Sequence, residues 1–298
     1  MSLKALFDVP APAKLNLFLH ITGQRADGYH LLQSVFMLID WCDTLHFERR
    51  VDGQISRHDL TAVLPADDLC LRAARLLQTE AASSHGADIS IVKNVPWGAG
   101  MGGGSSDAAS TLLALNRLWD LNWPLSKLLP LGLKLGADVP FFLGGHNAWV
   151  EGVGEKLTPL TLPARRFAVV KPAASLETRA VFGDAALVRN TPAATLEGFT
   201  EHVKQAQLNG RRLIEFGANA LQPVAEKHCA EVRLAAECLR GVMGNSRMTG
   251  SGSAVFAEFD GANVELESTA LLEVRRLLNS TWTVKTCRNL QQHPLSEW

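Results

Sequence analysis

Five of the seven residues from Gly98 to Gly104 are glycine, inside the stretch Pro96-Trp97-Gly98-Ala99-Gly100-Met101-Gly102-Gly103-Gly104-Ser105-Ser106-Asp107. Glycine at this density costs backbone entropy, so the link needs a geometry that side chains would obstruct. Successive glycines let backbone N–H groups turn toward one point. A helix starting just after them adds its own free N–H groups and the positive end of its dipole. The product is an anion cradle suited to phosphates. A flexible connector is the alternative reading. Other phosphate loops fit poorly. No Gly-Lys pair exists in the chain, which excludes a Walker-type loop. Gly98-x-Gly100-x-x-Gly103 matches the dinucleotide fingerprint, but that fold needs an acidic residue about 20 positions on, at the end of a second strand. Asp120 falls near that distance at the tail of a helical pattern, with no strand before it. Protein-kinase H-R-D and D-F-G motifs are absent. A second Gly/Ser turn, Thr249-Gly250-Ser251-Gly252-Ser253, reads as a tight connector or as a close approach to a ligand.

The elements around these turns follow from periodicity. Strands are predicted at 15–21, 34–39 and 44–48, with the Asp27-Gly28 turn after the first. A helix is predicted at 68–82, capped by Asp67 or Asp68. A strand at 87–95 leads into the glycine loop, and helices are predicted at 108–121 and 126–135. A strand at 148–150 and a boundary at 159–166 follow. The remainder predicts strands at 167–170, 254–259 and 282–286, with helices near 196–208, 223–239 and 266–278. This is an α+β order in two domains, 1–163 and 164–298, and not strict β-α-β alternation.

Composition narrows the partners. The 298 residues carry 29 Lys+Arg and 30 Asp+Glu, a formal net charge of -1. Neither a basic nucleic-acid footprint nor a polybasic membrane anchor is expected. No apolar run reaches membrane-spanning length, and the stretch from Met1 to Pro12 lacks the pattern of a secretory signal. The five cysteines are scattered without a C-x-x-C pair, which predicts free thiols in a reducing cytoplasm.

The stretch from Pro96 to Ala109 resembles the second motif of the GHMP small-molecule kinases. Its Gly102-Gly103-Gly104 triplet resembles one branch, which acts on a cytidine diphosphate derivative of methylerythritol in the non-mevalonate route to isoprenoids. Four further segments are similar to that branch: 12–19, 25–30, 135–142 and 151–155. Residues 249–256 resemble the family's C-terminal motif. The resemblance implies a two-domain GHMP kinase fold. Its N-terminal domain would be ribosomal protein S5 domain 2-like and its C-terminal domain a ferredoxin-like α/β plait, with the active site between them.

The resemblance also implies roles. ATP would lie on Gly98, Gly100, Met101, Gly102, Gly103, Gly104, Ser105 and Ser106, with Lys93, Asn94 and Pro96 beside the nucleotide. Asp138 would be the general base for the acceptor hydroxyl and Lys14 its cationic partner. By type alone these two read equally well as a helix-end turn and an edge-strand lysine. Mg²⁺ should accompany ATP, with Ser106 and Asp138 as candidate contacts. Tyr29 and Phe182 would stack on the cytosine and His30 would hydrogen-bond its edge. Asn16, Thr178, Thr249 and Gly250 would contact substrate. Another GHMP kinase, or a non-catalytic nucleotide-binding protein of the same fold, is the alternative. The oligomer is expected to be a monomer or homodimer.

Overall fold

A computed structural model describes residues 3–260 and 264–298. The N-terminal half contains β1 (Ala5–Gln24), β2 (His30–Arg50), β3 (Ile55–Asp59), α1 (Leu69–Glu80), β4 (Gly86–Val92), α2 (Gly103–Leu118), α3 (Leu125–Leu135), α4 (Val139–Gly144), β5 (Ala148–Glu151) and β6 (Lys156–Pro159). The C-terminal half contains β7 (Arg166–Lys171), α5 (Thr178–Gly183), α6 (Leu196–Asn209), α7 (Gln222–His228), α8 (Ala230–Met243), β8 (Arg247–Met248), β9 (Val255–Glu258), α9 (Val264–Leu277) and β10 (Thr283–Arg288).

The first sheet has six strands in the order β3-β4-β2-β5-β6, with β1 also paired to β2. All pairs are antiparallel except β3 with β4. The separate strands predicted at 15–21, 34–39 and 44–48 belong to two long strands that bend at bulges. Bulges bend a strand and re-aim its side chains, and register shifts flank both Lys14 and Asn16. Two residues apart, Lys14 and Asn16 lie on one face. Ala13, Leu15 and Leu17 join a core shared with the C-terminal half.

The second sheet runs antiparallel in the order β10-β7-β9-β8. Numbered within this half, that is 4-1-3-2, the order of a ferredoxin-like plait. Arg247 fastens the halves: it is buried and donates to the carbonyls of Leu17, Phe216 and Gly217.

Three sequence expectations change. Helix α2 begins at Gly103, not near residue 108, because the Gly102 N-cap takes a left-handed φ of 71° that starts the helix within the glycine triplet. The helix predicted at 223–239 is two helices, broken where Cys229 takes an extended φ of −141°. The last ten residues return to the N-terminal half: Asn289 and Gln292 bridge to Ile39 and His146, and Leu295 joins its core.

Candidate active site

Two turns face each other backbone to backbone. A Cβ on Gly100 would lie 2.4 Å from the Thr249 carbonyl, and one on Gly250 would lie 2.7 Å from the Gly100 carbonyl. No side chain fits between them. The β8–β9 connection is stitched to the loop by Ser253 N–H to Gly98 O (3.3 Å) and Ala254 N–H to Ala99 O (3.1 Å). From the other side, Lys14 N–H donates to Met101 O at 2.9 Å. The loop is therefore held by both halves of the chain.

At the end of this loop stands the N-terminus of α2. Gly102 makes no side-chain cap, and Ser106 N–H is the first to reach back, to Gly102 O at 2.9 Å. The N–H groups of Gly103, Gly104 and Ser105 have no intrahelical acceptor, which is the anion site the sequence predicts. The Ser106 hydroxyl is buried there without a protein partner.

Lys14 and Asp138 meet beside this helix end. Lys14 is 4% exposed, and its Nζ lies 3.7 Å from Asp138 Oδ2. The Asp138 side chain is 31% exposed and makes no cap to the α4 it precedes. Lys14 Nζ also donates to Asn16 Oδ1 at 2.5 Å and lies 4.6 Å from the centre of the Phe36 ring. Asn16 is fixed in turn: its N–H donates to Thr249 Oγ1 (2.9 Å) and its Nδ2 to Ser34 Oγ (2.9 Å). Burial pushes the Lys14 ammonium below its ordinary pKa, and Asp138 pulls it back.

Lys93 lines the same cavity as Asn94 and Pro96, where β4 meets the glycine loop. Its Nζ is gripped by Asp43 and, at 2.7 Å, by Asp107, both almost fully buried. Two of its three N–H groups are thereby engaged. Burial alone would depress the Lys93 pKa, but the two carboxylates outweigh it and raise it. Burial, and then the charge of Asp43, push Asp107 up to about 8 despite Lys93. Asp43 Oδ1 accepts from Asn94 N–H (2.6 Å) and Val95 N–H (2.8 Å), so this cluster aims the strand end into the glycine loop. Above it, Asn94 and Pro96 help line a cavity of about 550 Å³ whose walls include Val63, Leu64, Pro65 and Trp97. Arg57 holds the far wall, donating to Leu64 O (3.2 Å) and Pro65 O (3.0 Å).

Thr178, Phe182 and His30 gather around α5. Thr178 Oγ1 and Ser251 Oγ lie 2.9 Å apart, tying α5 to the second glycine turn. Phe182 lies 5.2 Å from the His30 ring, while Tyr29 is 64% exposed. His30, not Tyr29, is thus the ring beside Phe182. Sequence reading did not single out Asp43, whose partners lie about 50 residues away, or Arg57 and Arg189, which bond to backbone carbonyls that carry no residue-type signal.

Residues 68–146 match the model of the GHMP kinases N terminal domain, and residues 196–275 that of GHMP kinases C terminal. A 4-diphosphocytidyl-2-C-methyl-D-erythritol kinase of Methylibium petroleiphilum is 61% identical over 100% of this chain and 99% of its own. One of Variovorax paradoxus is 55% identical, over 99% of each. A solved 4-(cytidine 5'-diphospho)-2C-methyl-D-erythritol kinase superposes with TM-score 0.76 at 31% identity, over 95% of this chain and 98% of that one. A homoserine kinase from Cytophaga hutchinsonii shares the fold at TM-score 0.70 and 15% identity, over 97% and 95% of the two chains.

Proposed function

The chain belongs to the GHMP kinase family, and from that premise we infer that it transfers a phosphoryl group from ATP to the 2-hydroxyl of 4-diphosphocytidyl-2-C-methyl-D-erythritol. The products are the 2-phosphate and ADP, on the non-mevalonate route to isoprenoid precursors. The observation that carries the chemistry is the meeting of Lys14 and Asp138 beside the uncapped N-terminus of α2.

Phosphoryl transfer asks a protein for positioning and charge stabilisation more than for covalent chemistry. The N–H groups at 103–105 and the α2 dipole receive the ATP phosphates, and the cavity at 62–65 and 93–97 takes the adenine. Asp138 takes the proton of the acceptor hydroxyl. It is not committed to a helix cap and is part-wetted, so it can turn to a substrate. Lys14 lends positive charge to the transferred group. Asn16 and Thr249 hold the Lys14 amine in place from both halves of the chain. ATP enters as its magnesium complex. The unpartnered Ser106 hydroxyl and Asp138 would hold that ion, which would offset charge on the phosphates. The cytidine lies by Tyr29, His30 and Phe182.

We also propose a cytoplasmic monomer or homodimer. No helix among the described residues is long and apolar enough to cross a membrane.

Steady-state ATP turnover with three acceptors tests the assignment. The cytidine-bearing acceptor should exceed homoserine and mevalonate in kcat/KM by on the order of 10² or more. Equal or better turnover of an acceptor without cytidine would assign the chain to another branch. ATP binding with no turnover of any acceptor would make it a non-catalytic member.

A further inference from the structure

Arg189 lies in the connection after α5, outside every motif read from the sequence, yet its guanidinium is engaged on nearly every side. Nε–H donates to His30 Nε2 at 3.1 Å. One terminal nitrogen donates to Leu187 O at 3.1 Å, and the other to Phe182 O at 3.1 Å and Asp184 O at 2.9 Å. One side chain therefore closes the loop over 182–189 and holds the His30 ring against it.

We propose that Arg189 is a positioning residue that fixes His30 as the neutral imidazole with its proton on Nδ1. The acceptor end of the cleft then presents a permanent hydrogen-bond donor from this ring. The argument rests on donor and acceptor inventory. A guanidinium has only N–H groups to offer and does not lose its proton inside proteins. The nitrogen that accepts from it must carry a lone pair, so Nε2 is unprotonated. A neutral imidazole then has its proton on Nδ1. The doubly protonated ring is excluded by the same contact, since it would set N–H against N–H and cation against cation. Burial, and then the Arg189 charge, lower the His30 pKa accordingly.

Two consequences follow for recognition, both resting on the reading that the acceptor carries cytidine. A fixed Nδ1–H pairs with an acceptor atom, and the pyrimidine edge of cytosine offers O2 and N3. It cannot pair with the N3–H of uracil. The same guanidinium anchors the backbone carbonyl of Phe182, whose ring lies 5.2 Å from His30. Ring tautomer and aromatic wall are therefore set together by one clamp, before any substrate arrives.

Long-range ¹H–¹⁵N spectra of the full-length chain, histidine-labelled and free of substrate, read the tautomer directly. His30→Gln identifies the resonance by removing it. The expected wild-type pattern is a protonated Nδ1 and an unprotonated Nε2, and Arg189→Met should shift the ring toward the Nε2–H tautomer. In kinetics, Arg189→Met should raise the KM for the cytidine acceptor about tenfold, the worth of one well-placed hydrogen bond, with kcat and the KM for ATP within about twofold. A wild-type His30 that is protonated on Nε2, or on both nitrogens at neutral pH, overturns the proposal. So does an unchanged tautomer in a folded Arg189→Met. Were the kinase reading to fail, turnover would be absent while the spectrum still decided this question. Were Arg189→Met not to fold, the wild-type spectrum alone would decide it.

Discussion

Two buried lysines flank the start of α2, and they differ in how they are held. A Cβ on Gly102 would sit 3.3 Å from Lys14 Cγ, and one on Gly103 would sit 3.5 Å from Lys93 Nζ. The Lys14 stem and the Lys93 ammonium therefore both border the proposed phosphate cradle. Lys14 faces one carboxylate, part-wetted and 3.7 Å away. Lys93 is clasped by two, each at most 3% exposed. Lys14 keeps unspent charge and a depressed pKa, whereas the charge of Lys93 is neutralised inside the fold and its pKa is raised. A loose, half-solvated pair can lend charge to a substrate. A closed triad holds β4 and the loop against α2. Being a lysine near a glycine loop does not decide which role applies; the number and burial of its carboxylates do.

The contrast can be broken in three ways. Asp138→Asn should lower phosphoryl transfer by about 10²–10⁴ while ATP affinity is largely retained, because the loop N–H groups and Ser106 that receive the nucleotide stay in place when the proposed base is lost. Steady-state kinetics beside nucleotide titration measure both, and near-wild-type turnover would remove Asp138 from the chemistry. The two lysines should then respond oppositely to loss of charge. Lys93→Met leaves two buried carboxylates facing each other and should destabilise the fold by about 3–5 kcal/mol in urea denaturation. Lys14→Met should leave stability unchanged or slightly raised, since it removes a poorly solvated charge, while turnover falls by about 10²–10³. Similar stability losses in both variants would erase the distinction.

Asp107 supports a pH-dependent prediction. Its carboxyl is pushed up to about 8 in the folded protein, from an ordinary 3.8. Between those values the folded chain keeps a proton that the unfolded chain releases. This contribution favours folding fully below the unfolded value and is lost as pH rises toward 8. Asp107→Asn has no such dependence. Its stability relative to wild type should therefore rise steadily from pH 4 to 8. Urea denaturation across that range measures it, and a flat difference would mean that the triad carries its charges otherwise.

Much of this was legible locally. The glycine run, its helix and the second Gly/Ser turn are read from residue types, because left-handed φ and close backbone approach exclude side chains. The Lys14–Asn16 alternation places both on one strand face. The true start of α2 was not legible, since Gly103 and Gly104 are poor helix formers on intrinsic propensity. They are helical because α2 packs on β1, β2 and α1, and packing overrides propensity. The fate of Lys93 was hidden as well, because Asp43 lies across the sheet from it. Arg189 carried no signal, since three of its four partners are backbone carbonyls, which any sequence supplies.

By itself the amino-acid sequence determined an α+β kinase with a phosphate loop before a helix, and the residue types for an acid–base pair. Local backbone preference and side-chain period give the loop and the order of elements; the kinase reading and the roles of the pair come from the resemblance to the GHMP kinases. The tertiary structure decided which carboxylate each lysine meets, which ring lies beside Phe182, and which nitrogen of His30 carries the proton. Those outcomes depend on pairings across the sheets and between the two halves. There, a displacement of an ångström or two separates a charge available to substrate from one neutralised within the protein.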